Sequence, residues 1–462
     1  MTLIKSISGI RGTIGGQPGE GLTPVDMVNF SSAFALFLKQ KHSKERIKIV
    51  MGRDARISGP LVEQIVANTL VAMGTEVVSL GLATTPTVEI AVPHESADGG
   101  IIITASHNPG EWNALKLLNE KGEFISAEDG AMLISLVEKQ EFEYVDVKML
   151  GKIRAETGYG KKHIESILGL KLVDVRAISE ANLSVITDCV NSVGGIIIPD
   201  LLHALGVKKI ISLYSEPSGN FPHNPEPLPE NLDEISERIV QEGADVGFVV
   251  DPDVDRLAIV CEDGSMFGEE YTLVAVSDYV LSQTPGNTCS NLSSSRALRD
   301  ITESYNRKYS SAPVGEVNVV EKMKETDCVI GGEGNGGIIY PALHYGRDAL
   351  AGIALFLTHL AKSKLTCSEL RKKYPIYVIS KNKISLSSGI DIDFILSNLK
   401  KEFSSAQINE SDGLKIDLPE GWVHLRKSNT EPIIRIYAEH RSVEQADELA
   451  RQIMNMISDL TN

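Results

Sequence analysis

Apolar and polar positions follow two different periods along this chain, and the first 150 residues switch between them repeatedly. The short apolar runs IKIVMG (47–52), EVVSLG (76–81) and GGIIITA (99–105) are bounded by Gly and polar turn residues and read as buried strands. Between them, residues 59–73 and the segment after Thr85-Pro86 carry apolar positions at helical spacing. Strand–helix–strand alternation of this kind predicts parallel strands joined by crossover helices. In such sheets ligands sit at the carboxyl ends of strands.

A second stretch echoes the first. KIVMGRD, a helix and VAMGTEVVSLG compare with SVITDCVNSVGG, a helix and HALGVKKIISLY, which fits either an internal duplication or the general grammar of such units. Five prolines between Pro217 and Pro229 forbid regular structure there and predict a stiff, exposed loop. A helix is expected over 232–242, followed by the strand DVGFVV. The last ninety or so residues differ in grammar, with strands around KISL, LKIDL, WVHLR and IIRIYAE. They close on a helix signalled by Ser442 and Gln445 as a capping box, with Ala446, Leu449, Ile453, Met456 and Leu460 at helical spacing. The predicted segments are 1–150, 151–257, 258–371 and 372–462, the first three α/β and the last a smaller α+β domain.

Composition supports several cores: 462 residues are too many for one, and 42% of them are hydrophobic against 23% charged. Sixty-two acidic residues against 45 basic ones leave a net charge of −17, so the molecule repels phosphate backbones and anionic lipid headgroups. No nucleic-acid or membrane partner is expected. The five cysteines are scattered, with no C-x-x-C, which suits a reduced, cytoplasmic protein. MTLIKSISGIRG lacks a secretory pattern, and the apolar stretch 349–361 is short of the ~20 residues that cross a bilayer. Charge and composition leave a monomer and a homodimer equally open.

Four motifs carry chemistry. Ser106, in Thr104-Ala-Ser106-His107-Asn108-Pro109, follows the buried strand GGIII and so lies at a strand's carboxyl end, a suitable address for a nucleophile. The strained G-x-S-x-G elbow of serine hydrolases is absent. Asp251, Asp253 and Asp255, in DPDVDR, alternate in a proline-stiffened loop after the strand GFVV. Three such carboxylates can converge on one hard divalent cation, with oxygen ligands favouring Mg²⁺ over zinc. GGEGNGG (331–337) combines close backbone approach with one carboxylate, Glu333, and one amide, Asn335, able to bind hydroxyl groups. RKSNTEP with the following Arg435 offers two guanidinium forks, two hydroxyls and an amide, a set suited to one phosphate. Arg11, Arg53, His107 and Lys116 add cations near strand ends.

Together, TASHNP, DPDVDR, GEGNGG and RKSNTEP resemble, in this order and over the whole chain, the α-D-phosphohexomutase family of phosphoglucomutases, phosphomannomutases and phosphoglucosamine mutases. The resemblance implies three related α/β units with mixed sheets and a C-terminal α+β domain around a central cleft, one motif from each: phosphoserine loop, metal loop, sugar loop and phosphate loop. It implies that Ser106 carries the phosphoryl group and that Asp251, Asp253 and Asp255 bind Mg²⁺ together with a phosphoserine oxygen on Ser106. Arg11, His107, Lys116 and Arg256 would surround the transferring group, Lys116 as general acid or base, with Arg53 in support. Glu333 and Asn335 would hold sugar hydroxyls; Arg426, Ser428, Asn429, Thr430 and Arg435 would hold the non-reacting phosphate. A hinge near 370–375 would open the C-terminal domain while the intermediate turns over.

The activity so implied interconverts hexose 6-phosphate and hexose 1-phosphate through a phosphoserine enzyme and a 1,6-bisphosphate, which also serves as primer. Many family members carry Ser where this chain has Asn335, followed by Gly and His. The form with Asn and paired glycines points to glucosamine phosphate, with a phosphomannomutase/phosphoglucomutase as the alternative. A metal-dependent sugar phosphatase, which would hand phosphate to water, and a non-catalytic sugar-phosphate sensor are readings of other classes.

Overall fold

The computed structural model describes residues 2–6, 9–385, 392–427 and 433–461. They divide into two units, 1–272 with 335–370, and 273–334 with 371–462.

The first unit is built on two sheets. A seven-stranded sheet runs in the order Ile4–Ser6, Gly9–Thr13, Trp112–Leu118, Gly99–Ile103, Lys48–Arg53, Glu76–Leu82, Ile153–Ala155, taking its last strand from just past residue 150. Its four last-named strands are mutually parallel, and the other three pair antiparallel. Strand side chains alternate between faces. Ile49, Met51 and Ile101 therefore pack under the helices Pro24–His42, Gly59–Ala72 and Ala127–Lys139, while Val50, Val78 and Ile102 pack under Thr85–His94. The second sheet is Leu257–Cys261, Val246–Val250, Ser184–Asp188, Lys209–Leu213, parallel except for the Val246–Val250/Leu257–Cys261 hairpin. That hairpin places residues 251–256 in its turn.

In the second unit the parallel strands Tyr309–Ala312, Asn287–Asn291 and Cys328–Glu333 carry the helices Ala297–Ser304 and Glu316–Glu325. A five-stranded antiparallel sheet, Val378–Ser385, Ile433–His440, Trp422–Lys427, Leu414–Asp417, Gln407–Asn409, packs its inner face on the helices Ile392–Glu402 and Val443–Thr461. Buried Arg296 ties the two sheets of this unit, donating to the carbonyl oxygens of Pro419, Leu418 and Gly421.

The echo in the sequence is a shared parallel β-α-β unit: Ile49 faces Val77 across one pair of strands and Val185 faces Ile210 across the other. A third copy, pairing Cys289 with Ser310, escapes the apolar pattern because its strands NTCSN and YSSA are largely polar. The proline-rich loop is irregular as expected, but it is not simply exposed. Gly219 stands at φ +73° with its Cα so close to Ala55 that a Cβ would fall 2.1 Å from the Ala55 carbonyl oxygen, and Pro225 and Pro227 are buried. A stiff loop loses little entropy on docking, and this one docks against the GRDAR turn. The closing helix has half of its capping box: Gln445 N–H donates to Ser442 Oγ at 3.3 Å, while the Gln445 amide oxygen lies 2.9 Å from His440 Nδ1. No helix among the described residues is long and apolar enough to cross a membrane.

Candidate active site

Ser106 sits where its strand ends, buried, with φ +49°. A non-glycine residue pays for that conformation, and its surroundings hold it there. Its N–H donates to Thr104 Oγ1 at 2.9 Å. Its carbonyl accepts from Arg56 Nη2 at 2.5 Å, and the same guanidinium also donates to the carbonyls of Asn108, Pro109 and Trp112. Arg56 and its partner Asp54, 3.0 Å away, are both fully buried. Burial pushes the Asp54 carboxyl up, against the pull of Arg56 and Thr104. A buried charge pair of this kind persists when its remaining donors are satisfied, and here those donors are spent on one loop. Sequence reading picked Arg53 instead; its guanidinium pairs with Glu63 at 2.8 Å and donates to the Asp54 carbonyl, so it braces the neighbouring turn.

Ser106 Oγ donates to Asp251 Oδ2 at 2.6 Å and lies 3.3 Å from His107 Nδ1. The hairpin turn that carries Asp251 is pinned on two sides. Thr85 donates through N–H to the Asp253 carbonyl at 2.9 Å and through Oγ1 to Asp253 Oδ2 at 2.5 Å, while Ser192 Oγ donates to the Pro252 carbonyl at 2.6 Å. Asp251, Asp253 and Asp255 are fully buried, and each offers an oxygen within 4.8 Å of the others. Asp253 Oδ1 and Asp255 Oδ1 have no hydrogen-bond partner. Burial, then the charges of Asp255 and Asp253, push the Asp251 carboxyl well up. Asp255, though equally buried, is held low by Arg347, Lys116 and Arg256. Orphaned buried carboxylate oxygens and an all-oxygen donor set fit a hard divalent cation.

Of the predicted cations, Arg11, Lys116 and Arg256 converge on the same place, with His107 beside them, and Arg53 does not. Lys116 Nζ donates to Asp253 Oδ2 at 2.7 Å and Asp255 Oδ2 at 3.2 Å; burial alone would lower its pKa, but these carboxylates outweigh it and raise it. Arg11 reaches Asn108 Oδ1 at 3.2 Å. Burial first, then the charge of Arg256, press the His107 imidazole down to about 2, so it stands neutral. A cavity of about 80 Å³ is lined by Ser106, His107, Arg11, Lys116, Arg256 and Arg347. A larger one of about 240 Å³, between the helices Tyr159–Leu168 and Gly194–Ala204, has none of the predicted residues on its wall. The distribution of charge, and not the volume, marks the site.

Two members were not anticipated. Arg347 donates to Asp255 Oδ2 at 2.7 Å. Glu226, from the proline-rich loop, lies 3.6 Å from Arg256 Nη1 and 4.0 Å from His107 Nε2. Both come from loops without motif character; only the docking of that loop gives Glu226 its place.

In the second unit Glu333 is buried at the end of its strand and accepts from Asn291 Nδ2 at 2.9 Å and Gly315 N–H at 3.1 Å. Arg426 and Arg435 are directly opposed across neighbouring strands, with Arg426 Nε 3.1 Å from Asp412 Oδ2. Ser428, Asn429 and Thr430 lie outside the described residues. Asn335, in the first unit, folds its Oδ1 back on Gly337 N–H at 3.2 Å.

Four models of phosphoglucomutase/phosphomannomutase domains match in order: α/β/α domain I over residues 3–144, α/β/α domain II over 161–264, α/β/α domain III over 268–377 and the C-terminal domain over 392–456. The chain belongs to the α-D-phosphohexomutase family. As a phosphohexomutase it is an enzyme of the isomerase class, an intramolecular phosphotransferase, with three α/β domains and a separate C-terminal α+β domain as expected. It is 36% identical over 443 residues to a phosphoglucomutase/phosphomannomutase of Thermococcus kodakarensis, covering 95% of this chain and 96% of that one. It is 29% identical to a phosphoglucosamine/phosphogalactosamine mutase of Sulfurisphaera tokodaii, covering 97% and 98%. Among solved structures, a phosphoglucomutase/phosphomannomutase family protein from Burkholderia thailandensis superimposes with a TM-score of 0.84 at 26% identity, covering 98% of this chain and 97% of that one.

Proposed function

We propose that this phosphohexomutase interconverts hexose 6-phosphate and hexose 1-phosphate through a phosphoserine at Ser106 and a hexose 1,6-bisphosphate. The observation that carries the reading is Ser106 Oγ held 2.6 Å from Asp251 Oδ2, beside Asp253 and Asp255, whose Oδ1 atoms have no hydrogen-bond partner. A serine phosphate carries about −1.5 to −2 charges at neutral pH, so the hydroxyl attacking it needs that charge offset. Asp251, Asp253 and Asp255 would hold Mg²⁺, which supplies Lewis-acid stabilisation of phosphoryl oxygens when bound.

The chain's own residues do the rest. Arg56 fixes the Ser106 backbone, Arg11 and Arg256 offset charge on the phosphoryl group, and Glu226 orients Arg256. In the transfer the phosphorus–Oγ bond breaks with its electron pair going to Ser106 Oγ, while a bond forms between phosphorus and the sugar hydroxyl oxygen. The hydroxyl proton ends on Ser106 Oγ. Neutral His107, 3.3 Å from Oγ, offers the oxygen a hydrogen-bond partner, and Lys116, held beside Asp253 and Asp255, is the general acid or base of this reading. The second transfer runs the same step in reverse from the other phosphate. Glu333 and Asn335 serve the sugar hydroxyls, and Arg426, Ser428, Asn429, Thr430 and Arg435 serve the phosphate at rest. The segments 1–150, 151–257, 258–371 and 372–462 belong to the same reading, one loop to each.

For the sugar, the GEGNGG form supports glucosamine phosphate. The second reading, glucose and mannose phosphates, is supported by the 36% identity to a relative named for those activities. The test is a coupled assay with Mg²⁺, a trace of hexose 1,6-bisphosphate and the three sugar phosphates in parallel, with Ser106→Ala beside the wild type. Isomerisation lost in the variant is expected, fastest with glucosamine phosphate. Faster glucose and mannose turnover moves the substrate to the second reading. Free phosphate without isomerisation sinks the mutase reading in favour of a phosphatase.

A further inference from the structure

Arg347 stands outside all four motifs, yet the fold has made room for it. A Cβ on Gly337 would fall 2.3 Å from Arg347 Cδ and 3.0 Å from Cγ, with Asn335 Oδ1 next at 3.1 Å. Gly337 has no positive φ, so its backbone does not demand glycine. The tightest demand for it comes from the passage of the Arg347 side chain. That side chain is mostly buried, ends with Nη2 2.7 Å from Asp255 Oδ2, and lines the cavity into which Ser106 opens.

The backbone at this point is fixed as well. Asp348 N–H donates to the Ile338 carbonyl at 2.8 Å, and the Asp348 carboxylate caps the helix Ala349–Ser363 through the N–H groups of Leu350 and Ala351. The other Asp348 oxygen is 2.9 Å from His163 Nε2 and 3.2 Å from His344 Nε2. A guanidinium is thus held rigidly beside a carboxylate that Lys116 and Arg256 already neutralise in part. A third cation there is more than Asp255 needs for pairing, and a planar fork presents donors along more than one edge.

We propose that Arg347 is a catalytic residue of this mutase: from its place beside Asp255 it donates to an oxygen of the phosphoryl group in transit between Ser106 Oγ and the sugar hydroxyl. The proposal rests on the phosphoserine reading above. Arg347 neither gains nor loses a proton in the step; its fixed charge offsets the negative charge spread over the equatorial oxygens while the bond to Oγ breaks and the bond to the sugar oxygen forms.

The experiment compares full-length wild type with Arg347→Ala, Arg347→Lys, Gly337→Ala and the Arg347→Ala/Gly337→Ala double variant, assayed on glucosamine, glucose and mannose phosphates with Mg²⁺ and trace 1,6-bisphosphate. Arg347→Ala is expected to lower kcat roughly 10²–10³-fold with KM little changed, Arg347→Lys to recover only part, and millimolar guanidinium to restore turnover to Arg347→Ala. Gly337→Ala leaves the charge in the chain but pushes it aside, so kcat falls, and the double variant is no worse than Arg347→Ala. The rise in melting temperature on adding Mg²⁺ without substrate stays as in wild type. Wild-type kcat in Arg347→Ala, additive losses in the double variant, or loss of the Mg²⁺-dependent rise would each overturn the proposal, the last by making Arg347 a mere support of Asp255. A wild type that isomerises none of the sugars overturns the underlying reading instead.

Discussion

Arg56 Nη2 donates to the Ser106 carbonyl oxygen at 2.5 Å, across fifty residues of sequence, while Ser106 stands in the left-handed region at φ +49°. A fully buried guanidinium on a fully buried carboxylate thereby sets the pose of the residue that is proposed to carry phosphate.

Removing Arg56 leaves Asp54 buried without its cation. Arg56→Ala is therefore expected to lose about 3–5 kcal/mol of stability, and Arg56→Lys less, since it keeps the charge but not the fork. Urea unfolding measures the first. Labelling of Ser106 from radioactive 1,6-bisphosphate measures the second, where Arg56→Lys should fold yet label slowly. Normal labelling in Arg56→Lys would mean the loop holds its pose unaided.

The orphaned oxygens of Asp253 and Asp255 predict a metal-dependent melting temperature. A ligand at one hundred times its Kd stabilises by about 2.7 kcal/mol, so Mg²⁺ should raise the melting temperature of chelator-treated protein by several degrees. Asp255→Asn should abolish the rise. An equal rise in wild type and variant would place the cation elsewhere.

Arg426 faces Arg435, and Arg435 faces Lys383 on the next strand, a row of like charges across three strands. Such neighbours repel, and an anion relieves them. Charge-assisted hydrogen bonds are worth about 1.5–3 kcal/mol, so Arg435→Ala should raise KM roughly ten- to a hundredfold with a smaller effect on kcat. Lys383→Ala, at an exposed position, should raise it less. Inorganic phosphate should protect wild type against heat more than it protects Arg435→Ala.

His424 predicts an acid limit. Its Nδ1 is 2.9 Å from Ser293 Oγ and its Nε2 is 2.7 Å from the Asp412 carbonyl oxygen. Burial first, with the charges of Lys415 and Arg426, presses it down to about 4, outweighing the Asp412 carbonyl and carboxylate, which pull the other way. The unfolded imidazole takes its proton near 6.5, so the unfolded state binds more protons between those values and stability falls as pH drops from 6.5 towards 4. His424→Gln should flatten that slope in thermal melts across the window. An unchanged slope would assign the acid sensitivity to other groups.

Ser106 and the Asp251, Asp253 and Asp255 triplet were legible because their chemistry is local: a buried apolar run announces the strand, and the loop that follows carries its ligands consecutively. The same locality made the apolar parallel strands of the first two sheets readable from period alone, but not Ile4–Ser6, Gly9–Thr13, Trp112–Leu118, Ile153–Ala155 or Leu257–Cys261, which complete them. Arg56 was not legible beside Arg53, since both sit in one GRDAR turn and only the packed loop 106–112 distinguishes them. Glu226 was hidden in a segment whose prolines advertise exposure. The third β-α-β copy was hidden by polar strands.

By itself, then, the sequence determined the apolar strands and amphipathic helices, their order and the four motifs proposed to carry the chemistry, because hydrophobic period and short-range motif spacing act between near neighbours along the chain. Tertiary structure decided which donor reaches which oxygen: Arg56 to the Ser106 carbonyl, Lys116 and Arg347 to Asp255, Thr85 to Asp253. Those pairings join residues from separate strands and loops, and their strength depends on burial and on distances of a few ångströms that no one-dimensional pattern encodes.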